Sequence, residues 1–133
     1  MKQAFRVLLA AALLGASSAA IAATEDKAAD PAFVNETPLM VIRFNQPRVD
    51  YPMPLYNTVG QAFKVKPSAV FDLVSIAPRA HDTHNQAYYN KMAAQNSHKV
   101  LATLHEIGVP ANRISMTDAI DDVSASEVRI FVH

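Results

Sequence analysis

Val70-Phe71-Asp72-Leu73-Val74-Ser75-Ile76-Ala77-Pro78, and the long polar-faced run from Asp82 to the Gly108-Val109-Pro110 stop, decide the fold. The first stretch is rich in β-branched and aromatic residues and has apolar side chains on both alternating faces through Ile76. Closed by Pro78, it reads as a strand at the centre of a sheet. The second offers Asp82 or Thr83 as a helix cap. Tyr89, Met92, Ala93, Val100, Leu104 and Ile107 then form an apolar stripe at helical spacing that ends at Gly108.

The flanking segments complete the pattern. Upstream, Leu39-Met40-Val41-Ile42-Arg43-Phe44 is an apolar run closed by Asn45-Gln46-Pro47, and predicts a first strand. Pro54 stands where a helix start tolerates proline. Leu55, Val59, Ala62 and Phe63 follow at helical spacing as far as Lys66-Pro67. Downstream, Arg113 to Thr117 and Glu127 to His133 read as two more strands, with Asp118 to Ser126 as the turn between them. The order is β-α-β-α-β-β. Right-handed crossovers then put both helices on one face of a mixed four-stranded sheet, an α/β (α+β) two-layer sandwich.

Lys2 and Arg6, an uncharged stretch from Val7 to Ala23, and Ala20-Ile21-Ala22 have the layout of a cleavable secretory signal. The expected division is a signal over residues 1–22, cut after Ala22 or else Ala23, a flexible leader over 23–37 and a domain over 38–133. The Leu-rich core of roughly 8 to 14 residues is short of a membrane span, so no span is expected after cleavage. No cysteine occurs, which excludes a lipid-bearing Cys and leaves the fold to burial and hydrogen bonding alone. A periplasmic location is the expectation. Without Lys2 and Arg6 the 12 basic residues become 10 against 12 acidic, a mildly acidic chain with no field to gather phosphates. Nucleic acid is not an expected partner.

The element order, the long second helix and Gly108-Val109-Pro110-Ala111-Asn112-Arg113-Ile114 resemble the OmpA-like C-terminal domain of bacterial envelope proteins, over roughly Leu39 to His133. The resemblance implies non-covalent binding of peptidoglycan. In that family an Asp in a Gly-His-Thr-Asp loop meets the ammonium of the diaminopimelate group, and an Arg on the following helix grips its carboxylate. Aligned from Gly108, Asn96 falls at the family Arg. Pro78, Arg79, Ala80 and His81 replace the loop motif, and one inserted residue brings Asp82 to the Asp position. The apolar frame matches, while the charged anchor does not. The expected function is therefore a non-enzymatic envelope module contacting another envelope protein. The alternative is muropeptide binding with Arg79, His81, Asp82 and Asn96 as the ligand-binding residues.

Other candidate chemistry is sparse. His81, Asp82 and His84 are weak candidates for a transition metal, and would make the chain a weak metal-binding periplasmic protein. A cap with solvated histidines is preferred, because only three ligands are local. Asp118, Asp121 and Asp122 read as an acidic turn, and His98 and His105 as solvated. Arg43, Arg48, Asp50, Tyr51 and Arg79 read by default as a scattered polar surface, with a gathering at the ends of the sheet as the alternative. With no Gly-x-Ser-x-Gly elbow, no Cys nucleophile and only three glycines, neither catalysis nor a cofactor is expected. On strand one Leu39, Val41 and Arg43 oppose Met40, Ile42 and Phe44, and on strand two Val70, Asp72, Val74 and Ile76 oppose Phe71, Leu73 and Ser75. Neither set is polar enough for water, so the sheet face away from the helices is expected to be apolar. The leader, a second copy or a protein partner is expected to cover it, so self-association enters as a possible mode.

Overall fold

The computed structural model describes residues 36–133, so the signal and nearly all of the leader lie outside the described residues. Within them the elements are β1 (Met40–Arg43), α1 (Pro52–Val65), β2 (Phe71–Pro78), α2 (Thr83–Glu106), a 3-10 turn (Ala111–Arg113), β3 (Ile114–Asp121) and β4 (Glu127–Val132). The fold is the expected β-α-β-α-β-β sandwich on a mixed sheet. Strand order is β1-β4-β2-β3. β4 runs antiparallel to both β1 and β2, and β3 runs parallel to β2. β2 is interior, as its two apolar faces require.

Register assigns the faces. Leu73 pairs with Ile130 and Met116, and Ile130 pairs with Met40, so these share one side of the sheet with Phe71, Val128 and Ile42. The same residues form one core with Leu55 and Val59 of α1 and Val100 and Leu104 of α2, which places both helices on that side. Phe63 of α1 meets Phe71 edge-on at 5.3 Å, a geometry aromatic quadrupoles favour.

Helix α1 opens with Pro52 and Pro54 in its first turn. Backbone N–H groups there have no partner within the helix, so proline costs nothing. Helix α2 starts at Asp82, whose carboxylate accepts from the Asn85 N–H at 2.9 Å. It ends in a Schellman turn, with the Gly108 N–H on the His105 carbonyl and the Val109 N–H on that of Leu104. Gly108 has φ +101°, which its missing Cβ permits. Val109 and Leu104 are both buried in the core beside it.

Two expectations needed correction. β3 does not stop at Thr117: the ladder to β2 continues from Ser75↔Asp118 to Pro78↔Asp121, so the turn is only residues 122–126. Available backbone partners on β2 outweigh the turn preference of Asp118 and Asp121. On α2, Met92 is 37% exposed, whereas Asn96 and Ser97 are buried. Ala93, Ser97, Val100 and Leu104 are the true contact line. Small residues facing the central strand let the helix approach closely, and Ser75 Oγ donates to the Ala93 carbonyl at 3.1 Å.

Candidate functional site

The pole of the domain at the end of β2 carries the residues singled out by sequence. Arg79, His81, Asp82 and His84 lie there on one loop and the helix start that follows it, and Arg79 and Asp82 are committed to partners in the chain itself. Asp82 caps α2 and also accepts from the Asn85 side chain at 2.8 Å. These bonds, the backbone one first, hold its carboxyl below the ordinary aspartate value, so it is ionised at neutral pH. Arg79 Nε donates to Asp122 at 2.8 Å, with both side chains largely exposed. His81 and His84 are exposed. Among the described residues no three His, Asp or Glu side chains are gathered so as to hold a metal ion.

Asn96 is not on this surface. It is buried, and its Nδ2 donates to Ser126 Oγ at 2.7 Å, fastening α2 to the start of β4. The position that corresponds to a carboxylate-gripping arginine is thus an internal hydrogen bond.

A connected set of charges lies on the helix-free face of the sheet and runs up to the pole. Glu127, 6% exposed, accepts from Arg43 Nε of β1 at 3.1 Å and from Arg129 Nε at 3.0 Å. Arg129 also donates to Asp121 of β3 at 3.2 Å. Register puts Arg129 beside Val74 and Asp121 beside Pro78 on the intervening β2, so the Arg129 side chain must cross the Val74–Ile76 stretch. Its methylenes can cover apolar surface while the guanidinium stays with its acids. This accounts in part for Ile76 being 2% exposed on a face that no helix covers. The Asp121 carbonyl also accepts the Arg79 N–H at 3.0 Å, which joins the set to the β2–α2 loop. Asp121 is held below the ordinary aspartate value, first by the Asp122 N–H and then by Arg129.

Sequence reasoning missed three participants. Glu127 and Arg129 were visible only as members of the last strand, and nothing in the spacing told that Asp121 would come within reach. Gln86 ties the loop to α2 by donating to the Pro78 carbonyl at 3.0 Å and accepting from the Ala80 N–H at 2.8 Å. The default of a scattered polar surface holds for Arg43, Arg79 and Tyr51: Arg43 and Arg79 pair as above, and Tyr51 meets Phe44 edge-on at 5.9 Å. The acidic turn is likewise divided, Asp118 and Asp121 on β3 and Asp122 on Arg79.

Neither a protein-family model nor a curated protein sequence matches the chain.

At the far end of the same face, Asp72 accepts from Ser115 Oγ and stands 2.7 Å from His133 Nε2. The carboxylate sits between the hydroxyl and the imidazole, so this is not the nucleophile-base-orienter order of a hydrolase. An open groove of about 550 Å³ also lies at that pole, lined by Leu39, Ala62, Val65, Lys66 and Val132 among others, and includes none of the predicted ligand residues. Among the described residues no helix is long and apolar enough to cross a membrane.

Proposed function

We propose that this chain is an exported, periplasmic, non-enzymatic module of OmpA-like kind whose charged pole and adjoining sheet face contact another envelope protein. The observation that carries the reading is the burial of Asn96 against Ser126: no arginine fork is presented where a muropeptide carboxylate would need one. In its place Arg43 and Arg79 stand at the two ends of an alternating charge set, with exposed guanidiniums available to a second surface. Alternating charge suits protein recognition, because it fixes register and penalises wrong partners. The test is capture of a cross-linked partner from envelope extracts, with Arg43→Glu and Arg79→Glu side by side with the unaltered chain. A partner recovered with the unaltered chain and lost with both variants is expected. Recovery that ignores both charge reversals overturns the reading.

One observation favours a second reading, retained peptidoglycan binding. Asp82 is exposed and kept ionised, and Arg79 lies three residues away on the same loop, so one fixed charge of each sign is present for a zwitterion. Co-sedimentation with purified sacculi that falls in both Asp82→Ala and Arg79→Ala would establish it. A chain that stays in the supernatant with and without sacculi removes it.

A further inference from the structure

The end of β2 outruns one of its two neighbours. β4 pairs with β2 only as far as Ile76↔Glu127, whereas β3 continues to Pro78↔Asp121. Beyond that point the Arg79 N–H still reaches the Asp121 carbonyl at 3.0 Å, on the β3 side. Residues along a strand point their backbone groups alternately to the two neighbours, so the Pro78 carbonyl and the Ala80 N–H face the side that β4 does not reach. One side chain bonds both of them there. Gln86 Nε2 donates to the Pro78 carbonyl at 3.0 Å, and Gln86 Oε1 accepts from the Ala80 N–H at 2.8 Å. A donor to the residue before Arg79 and an acceptor for the residue after it are what a parallel strand would offer. The amide also donates to Asn90 Oδ1 at 2.9 Å, one turn along α2, which occupies its second N–H and fixes its orientation.

We propose that Gln86 is the positioning residue of this pole: its amide stands in for the missing strand and holds the Arg79 backbone in one conformation before any partner arrives. The inference rests on the reading that Arg79 contacts a second surface. Only four residues, Arg79 to Asp82, join β2 to α2. Gln86 also binds the far end of this loop, donating its own N–H to the Asp82 carbonyl at 3.0 Å. The side chain and main chain of one residue thus tie positions 78, 80 and 82. Arg79 Nε is bonded to Asp122 at 2.8 Å, which leaves the two terminal nitrogens of the guanidinium for a carboxylate of the partner. Asp82, exposed and ionised, is the site for a cation on the same surface. The partner that fits is therefore one that presents an acid and a base at a fixed separation. Ordering the loop beforehand removes part of the entropy cost of association. Gln86 governs affinity in this way while contributing no charge.

Nuclear magnetic resonance relaxation on the full chain tests the positioning directly. The backbone order parameters of Arg79 and Ala80 should be about 0.85, as in a strand, in the unaltered chain. They should fall below about 0.6 in Gln86→Met, which keeps the length of the side chain and loses its three bonds. Leu73, within β2, should stay ordered in both and so report an intact domain. Asn90→Ala removes only the third bond of the amide and should leave Arg79 ordered. Should Gln86→Met not fold, Gln86→Glu, which sets a carboxylate against the Pro78 carbonyl, carries the comparison with the same fall expected. When these variants are taken through capture from envelope extracts, Gln86→Met should recover on the order of tenfold less partner than the unaltered chain, although no charge has changed. Asn90→Ala should match the unaltered chain. An Arg79 already disordered in the unaltered chain, one that stays ordered without Gln86, or undiminished recovery by a disordered Gln86→Met overturns the proposal. An unaltered chain that recovers no partner removes the functional reading instead, and the order parameters still decide whether Gln86 orders the loop.

Discussion

Glu127 shows how much one side chain can organise. It is an acid on a strand face, yet it is buried because two arginines from different positions converge on it. Breaking such a set strands the remaining charges, while the exposed member contributes little by itself. Glu127→Ala should therefore lower stability by ~1–3 kcal/mol, and Arg43→Ala by less than ~1 kcal/mol, in urea titrations. Asn96 is a neutral counterpart. Asn96→Ala leaves the Ser126 hydroxyl without its buried partner and should cost ~1–2 kcal/mol by the same measurement. Both residues were present in the sequence reading, one as the first residue of the last strand and one as a ligand-binding candidate. Their roles were not legible, because each is defined by a partner 30 or more residues away in the chain or on a strand that is its neighbour only through sheet order.

At the scale of elements, the termini of the helices were the most legible features, since caps are local chemistry. The carboxyls of Asp82 and Asp121 are both held below the ordinary aspartate pKa. A carboxylate depressed in the folded state adds stability that is present above its ordinary value, ~4, and is lost as pH falls through the depressed one. Unfolding followed by circular dichroism should thus show stability declining from about pH 5 downward. Asp82→Asn, which can still cap but not titrate, should flatten that decline. The two described glycines behave oppositely. Neither has an atom within 4 Å of where a Cβ would sit, so backbone conformation alone decides. Gly60→Ala, inside α1, should stabilise by ~0.5–1 kcal/mol. Gly108→Ala, at φ +101°, should destabilise by ~1 kcal/mol or more. Thermal midpoints moving in opposite directions would verify both.

Across the whole domain, the sheet has two faces and only one layer of helices, so one face has no helix on it. The apolar character of Val41, Val74 and Ile76 is plain in the strands, and of the β2 side chains on that face Val74 and Ile76 are buried, while Asp72 and Pro78 are half-buried. The diagonal path of Arg129 to Asp121 supplies part of that cover. Ile76→Ala should behave as a core truncation, costing ~2–5 kcal/mol in urea unfolding. A cost within ~0.5 kcal/mol would mean a face that water tolerates.

The sequence by itself determined the elements, their order and the apolar frame, because periodicity, caps and proline stops act over a few residues and need no partner. It also marked the central strand, since only a strand covered on both sides can carry apolar residues on both. Tertiary structure alone decided the far end of β3, the burial of Asn96 and the charge set on the sheet. In each case a group was claimed by another group distant in sequence: the backbone of β2 drew Asp118 to Asp121 into a ladder, Ser126 drew Asn96 inward, and the β1-β4-β2-β3 order brought Arg43, Glu127, Arg129 and Asp121 into line. A polar side chain takes its role from whichever partner the fold delivers, and strand order, which no local pattern encodes, makes that delivery.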